Sequence, residues 1–189
     1  VMRNGYKVFD ADTHLQPSAE TLFPYMSSTL LSRKAELEPF LKEVKTGRAG
    51  QILDAPFNHW YRFENVGGWG SGKPRHLGEA GPREKEERHF QNFMGSKYPS
   101  RYSEDWDIDQ RIAEMDEEGV DVELLVPGSF TGYKDVSVDI GMIETLHRFL
   151  DDVCNRYPDR LTSMITASAR DVDSAVSEIR KWGQTKWAR

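Results

Sequence analysis

The 189-residue chain reads as an α/β protein with parallel strands. Residues 106–189 alternate short apolar runs with helical periodicities across brief connections, an order that parallel strands and right-handed crossovers satisfy. A further strand-like run, Val8-Phe9-Asp10-Ala11-Asp12-Thr13-His14, stands ahead of them, separated by a long segment.

That opening run carries chemistry. In a regular strand Asp10, Asp12 and His14 occupy alternate positions and share one face. Two carboxylates and an imidazole are costly to bury together unless a cation or hydrogen-bond donors compensate. Asp-x-His offers a divalent metal one oxygen and one nitrogen ligand. The plainer reading is that Asp12 starts a polar turn and His14 caps the loop that follows.

Residues 15–105 lack a clear period. They hold Gly67-Gly68-Trp69-Gly70-Ser71-Gly72, several prolines, scattered aromatics and the mixed-charge run Arg83–Arg88. So long a segment between two parallel-type elements suits a lid or an oligomer contact, or an excursion packing its aromatics on itself. The glycine cluster follows no strand and lacks phosphate-loop spacing.

The second half is more regular. Asp107 and Gln110 have capping-box spacing, Ile108, Ile112 and Met115 recur at helical intervals, and Gly119 is a natural stop. Val120 to Pro127 reads as a strand closed by proline. Ile143, Leu146, Leu150, Val153 and Tyr157 step by 3, 4, 3 and 4, a single helical stripe that Pro158 ends. Leu161 to Ala167 suits a strand. Asp171 or Asp173 then caps a helix whose apolar positions are Val172, Ala175, Val176, Ile179 and Trp182, with Gly183 at its exit.

Composition excludes several classes. The net charge of −6, with no basic stripe, argues against nucleic-acid binding. No apolar run is long enough to span a bilayer, and the first residues lack a secretory core. The single cysteine, Cys154, fits a reducing, cytoplasmic compartment and reads as a packed thiol rather than a nucleophile. His59, His76, His89 and His147 read as surface or locally hydrogen-bonded, with His59 or His89 the first to test as a ligand reaching over from a lid. Asp116, Glu117 and Glu118 read as a solvated helix face. Ser129, Thr131 and Arg170 lie just past strand ends, where barrel loops face a substrate. Turn roles for the hydroxyls and a surface ion pair for Arg170 are the plainer readings.

Three blocks, VFDADTHLQP, WDIDQRIAEMDEEGVDVELLVPG and HRFLDDVCNRYPDRLTSMITA, together resemble the amidohydrolase-related (amidohydrolase 2) superfamily. The nearest look is the branch of aminocarboxymuconate semialdehyde decarboxylase and the metal-dependent aromatic-acid decarboxylases. The resemblance implies a (β/α)8 TIM-barrel type fold, this chain covering the first three β/α units plus a long insertion after strand 1. Residues 1–14 are then the first barrel strand, 15–105 the insertion, and 106–189 the following β/α units, ending where another strand is due. It also implies a divalent metal, zinc foremost and manganese next, with Asp12 and His14 as ligands and Asp10 as a supporting group behind them. Many relatives carry histidine or glutamate where this chain has Asp12. The family's later ligands, a histidine near the fifth strand and a catalytic aspartate near the eighth, have no counterpart here.

The implied activity is hydrolysis or non-oxidative decarboxylation of a small, cyclic or aromatic, carboxylic acid, amide or ester. Trp60, Tyr61 and Trp69 are candidates to stack on its ring, and Ser129 and Arg170 to contact it. The implied partners are a small-molecule substrate and a homo-oligomer or second chain completing the barrel. The alternative is a catalytically incomplete fragment or a non-catalytic subunit. A metal phosphoesterase ranks last, since no basic phosphate cluster accompanies the motif.

Overall fold

The computed structural model describes residues 4–15, 17, 19–45, 59–63, 108–128 and 132–189. Asp107, Ser129, Thr131, the glycine cluster, His76 and His89 lie outside these residues.

Among the described residues β1 (Phe9–Leu15), β4 (Val122–Pro127) and β5 (Leu161–Ser163) form one parallel sheet in the order β1-β4-β5. An isolated parallel bridge joins Ser163 to Ala188. The Ser163 amide donates to the Trp187 carbonyl at 2.9 Å and the Arg189 amide to the Ser163 carbonyl at 3.0 Å. A fourth parallel pairing therefore starts at residues 187–189, where the sequence led one to expect another strand.

Helices follow as the periodicities required. α4 (Ile108–Glu118) ends at Gly119, whose φ of +78° is a left-handed turn that side chains rarely adopt. α5 (Val136–Arg156) is capped by Asp135, which accepts from the Ser137 amide. Ile143, Leu146, Leu150 and Val153 of its predicted stripe are buried and Tyr157 is its half-buried C-cap, but Val138, Met142, Thr145, His147, Phe149 and Cys154 are buried too. A helix buried around most of its girth needs partners on several sides. β5, α6 (Val172–Trp182) and short helical turns from the first half of the chain all pack on α5.

Those turns, α1 (Ala19–Leu22), α2 (Ser28–Leu31) and α3 (Lys34–Leu37), belong to the 15–105 segment. Ala19, Leu22, Met26, Leu30 and Leu37 lie in one core with Leu125, Leu146 and Leu150. The start of this segment is thus part of the core. Beyond it β2 (Leu41–Lys45) pairs antiparallel with β3 (His59–Phe63).

One expectation is corrected. β5 stops at Ser163 and does not run to Ala167, because the Thr166 amide leaves the ladder and donates to His147 Nε2 at 3.0 Å. The apolar positions of α6 are largely uncovered, with Val172 67 %, Ile179 49 % and Val176 37 % exposed. Trp182 and Glu178 anchor this helix instead.

Cys154 is buried, as a packed thiol should be. Burial, reinforced by the Asp151 charge, pushes the thiol up to about 12. A thiol reagent at pH 8 is therefore expected to label the chain only after denaturant is added, with labelling followed by mass spectrometry; rapid modification of the native protein would contradict this.

Candidate metal centre

The strand that carries Asp10, Asp12 and His14 is not regular. Asp10 pairs with Glu123, but Thr13 pairs with Leu125 and His14 with Val126. Ala11 and Asp12 together thus face the single residue Leu124, which is a β-bulge. One extra residue reverses the alternation beyond it. Asp10 and Thr13 share the face of Glu123 and Leu125, which leads into the core through Leu15 and Leu125, both fully buried. His14 lies on the opposite face, with Val126. The expectation of one shared face for all three is corrected by this bulge.

Two of them nevertheless lie side by side. Asp12 Oδ1 lies 3.7 Å from His14 Nδ1, and the side chains are 87 % and 65 % exposed. The burial cost anticipated for them is therefore not incurred, since both remain solvated. Asp10 is elsewhere engaged: its Oδ1 accepts the Asp12 amide at 2.9 Å.

The fit to a cation can be judged on these atoms. A carboxylate oxygen and an imidazole nitrogen suit zinc or manganese, and ligand bonds of about 2.0–2.2 Å to each reach across a gap of this size. Neither side chain makes another ion pair or side-chain hydrogen bond among the described residues. Nor do three or more histidine, cysteine, aspartate or glutamate side chains converge among them, so the pair supplies two ligands of a larger set.

Next to β1, the described residues on either side of positions 129–131 are fixed by hydrogen bonds. The Gly128 amide donates to the Leu15 carbonyl at 3.1 Å. Asp139, fully buried on the first turn of α5, accepts the Gly132 amide at 3.0 Å, the Tyr133 amide at 2.8 Å and Arg170 Nη1 at 2.7 Å. Gly132, at φ +103°, supplies the left-handed backbone this wrap needs. Tyr133 is 2 % exposed, its ring edge-on to Phe40 at 4.8 Å. Burial, aided by the Asp139 charge, pushes its phenol well above the usual range, so it is a neutral hydroxyl. Tyr133 Oη and Thr13 Oγ1 are buried without a hydrogen-bond partner among the described residues.

Arg170, a candidate substrate contact in the sequence, is held within the fold by several hydrogen bonds. Its Nη1 donates to both Asp139 and the Tyr133 carbonyl, at 2.7 and 2.6 Å, and its Nη2 to the Lys134 carbonyl at 3.4 Å. An anion would have to displace these bonds. Arg170→Ala is expected to cost about 1–3 kcal/mol of stability, since it strips a donor from a buried carboxylate; a urea midpoint equal to that of the parent would contradict this.

His147 is fully buried, hydrogen-bonded through Nδ1 to Glu178 and through Nε2 to the Thr166 amide, so both nitrogens are used internally. Trp60 lies on β3 with its backbone opposite Val44. Ser129 lies outside the described residues. Sequence reasoning missed Asp139 and Tyr133. The one available signal was an acidic residue on the first turn of α5 one step past the core position Val138.

No family model and no curated protein matches this chain. Among solved structures it resembles 5-carboxyvanillate decarboxylase from Novosphingobium aromaticivorans, solved with manganese and 4-hydroxy-3-methoxy-5-nitrobenzoic acid. That likeness has a TM-score of 0.50 at 16% identity, over 98% of this chain and 41% of that one. An amidohydrolase from Mycobacterium avium subsp. paratuberculosis K-10 gives a TM-score of 0.49 at 16% identity, over 93% of this chain and 46% of that one. The first likeness is one of fold, an α/β layout around a parallel sheet, and this chain spans about two fifths of that protein's length. Among the described residues no helix is long and apolar enough to cross a membrane.

Proposed function

We propose that Asp12 and His14 are two ligands of a divalent metal in an amidohydrolase-type enzyme of (β/α)8 architecture that acts on a small, aromatic or cyclic, carboxylic acid. The observation that carries this reading is the carboxylate oxygen 3.7 Å from the imidazole nitrogen, both turned out of the core at the carboxyl end of a parallel strand. The manganese and nitrobenzoate bound by the decarboxylase of like fold favour a carboxy-lyase over a hydrolase. An aspartate oxygen ligand also suits manganese at least as well as zinc.

When bound, such a metal polarises a substrate oxygen or acidifies a water. This chain's own contribution is to hold it. Asp12 supplies negative charge and His14 a neutral nitrogen, while the Asp139–Arg170 clamp fixes the neighbouring loop. Since no larger ligand cluster forms among the described residues, a second chain completing the barrel would supply the remaining ligands. Exposed Phe9 (52 %) on the face of β1 that carries His14, and the uncovered stripe of α6, favour such a completing part.

Equilibrium dialysis against Mn²⁺ and Zn²⁺ tests the assignment. We expect one equivalent per chain, with Asp12→Ala and His14→Ala each weakening it by more than the roughly 10–100-fold that supporting partners of a metal site cost. Absence of saturable binding, or variants that bind like the parent, would overturn it.

A further inference from the structure

Asp10 has a distinct task, and the inference rests on the metal assignment above. We propose that Asp10 is a positioning residue that keeps the Asp12–His14 pair turned out of the packed face by accepting the amide of the bulged Asp12, and that it does so as a hydrogen-bond acceptor rather than as a charge.

The register gives the reason. In an unbulged β1, Asp12 and His14 would stay in phase with Asp10, on the face of Glu123 and Leu125. That face is the packed one: Leu125 is fully buried, and Glu123 is 8 % exposed and already paired with Arg111 at 3.0 Å. The extra residue opposite Leu124 turns His14 to the open face, beside Val126. A bulge takes residues out of the ladder, and an amide released in this way turns to water or to a nearby side-chain acceptor. Asp10 Oδ1 supplies it at 2.9 Å, two residues back along the chain. A short side chain with an oxygen at this reach, aspartate or asparagine, is what closes such a local turn. The lone pair that holds the bulge is therefore what turns His14, with Asp12 beside it, away from the packed face.

Asp10→Ala and Asp10→Asn separate geometry from charge. Asparagine keeps a carbonyl oxygen at the same reach and drops the charge; alanine loses both. Two readouts are taken on the full chain: hydrogen exchange of the Asp12 amide by NMR without metal, and Mn²⁺ affinity by dialysis. For Asp10→Ala we expect at least a tenfold faster Asp12 amide exchange and Mn²⁺ affinity weakened by about 10–100-fold, the range of metal-site supporting partners. Asp10→Asn should restore both to within about threefold of the parent. An asparagine variant as impaired as the alanine one would overturn the acceptor role, and so would an alanine variant with unchanged exchange and affinity. If the alanine variant does not fold, Asp10→Asn decides alone: retention of both readouts supports the proposal and loss of either overturns it. Failure of the metal assignment shows differently, as Asp12→Ala and His14→Ala variants that bind Mn²⁺ like the parent, while amide exchange still reports on the bulge.

Discussion

Replacing Asp139 with alanine is expected to destabilise the protein by about 2–4 kcal/mol, since a fully buried acceptor of three hydrogen bonds is lost. The carboxylate is fully buried and accepts from the Gly132 and Tyr133 amides and from Arg170. Alanine strands all three donors at once. Water can reach Arg170, whose side chain is 35 % exposed, but the Tyr133 amide is buried and has no such recourse. Asp139→Asn keeps one acceptor oxygen but turns an amide NH₂ toward a donor, so it should recover only part of the loss. Urea unfolding of the three proteins checks this, with a loss under about 1 kcal/mol for alanine contradicting the role. Because the clamped loop leaves β4 beside Leu15, the same variant should also loosen the end of β1.

Glu178→Ala should cost about 2–4 kcal/mol, because it leaves two buried donors unpaired. Its Oε2 meets His147 Nδ1 at 2.5 Å and Trp182 Nε1 at 2.8 Å. The Thr166 amide donates to His147 Nε2, so the proton must sit on Nδ1 and point at Glu178. One carboxylate therefore joins α5, α6 and the turn after β5. Burial by itself would push this carboxyl up, but the bonds from His147 and Trp182 outweigh burial and hold it below the ordinary glutamate range. A depressed carboxyl stabilises the fold above its unfolded value, near pH 4.3, and this support is lost as pH falls through the lower folded value. Acid unfolding followed by tryptophan fluorescence should show that loss in the parent below about pH 4 and a flatter dependence in Glu178→Gln. Identical acid profiles would contradict it.

What could be read from the sequence was what local rules determine. The 3-4-3-4 stripe of α5, the Asp171 cap and the Gly119 stop depend on neighbours within a turn, and all are present. So do the parallel strands, which follow from alternation with helices. The bulge in β1 could not be read this way, because it exists only relative to the register of a distant strand. Strict alternation consequently put Asp10 and His14 on one face, whereas the register sets them on opposite faces. β5 ended early for a similar reason: the Thr166 amide finds its acceptor on α5. His147 looked peripheral beside the apolar stripe, yet α5 is wrapped on more sides than its own period reveals. On α6 the period marks Val172, Val176 and Ile179 as apolar but cannot say whether anything covers them.

The claim on which the functional reading stands is that one cation touches both the Asp12 carboxylate and the His14 imidazole. Pulsed electron paramagnetic resonance of the Mn²⁺-loaded chain measures this contact through the hyperfine coupling of a directly bound nitrogen. A ¹⁴N coupling present in the parent, retained in Asp12→Asn and absent in His14→Ala is the predicted result. A manganese signal with no bound nitrogen, or one whose nitrogen coupling survives the loss of His14, would contradict it.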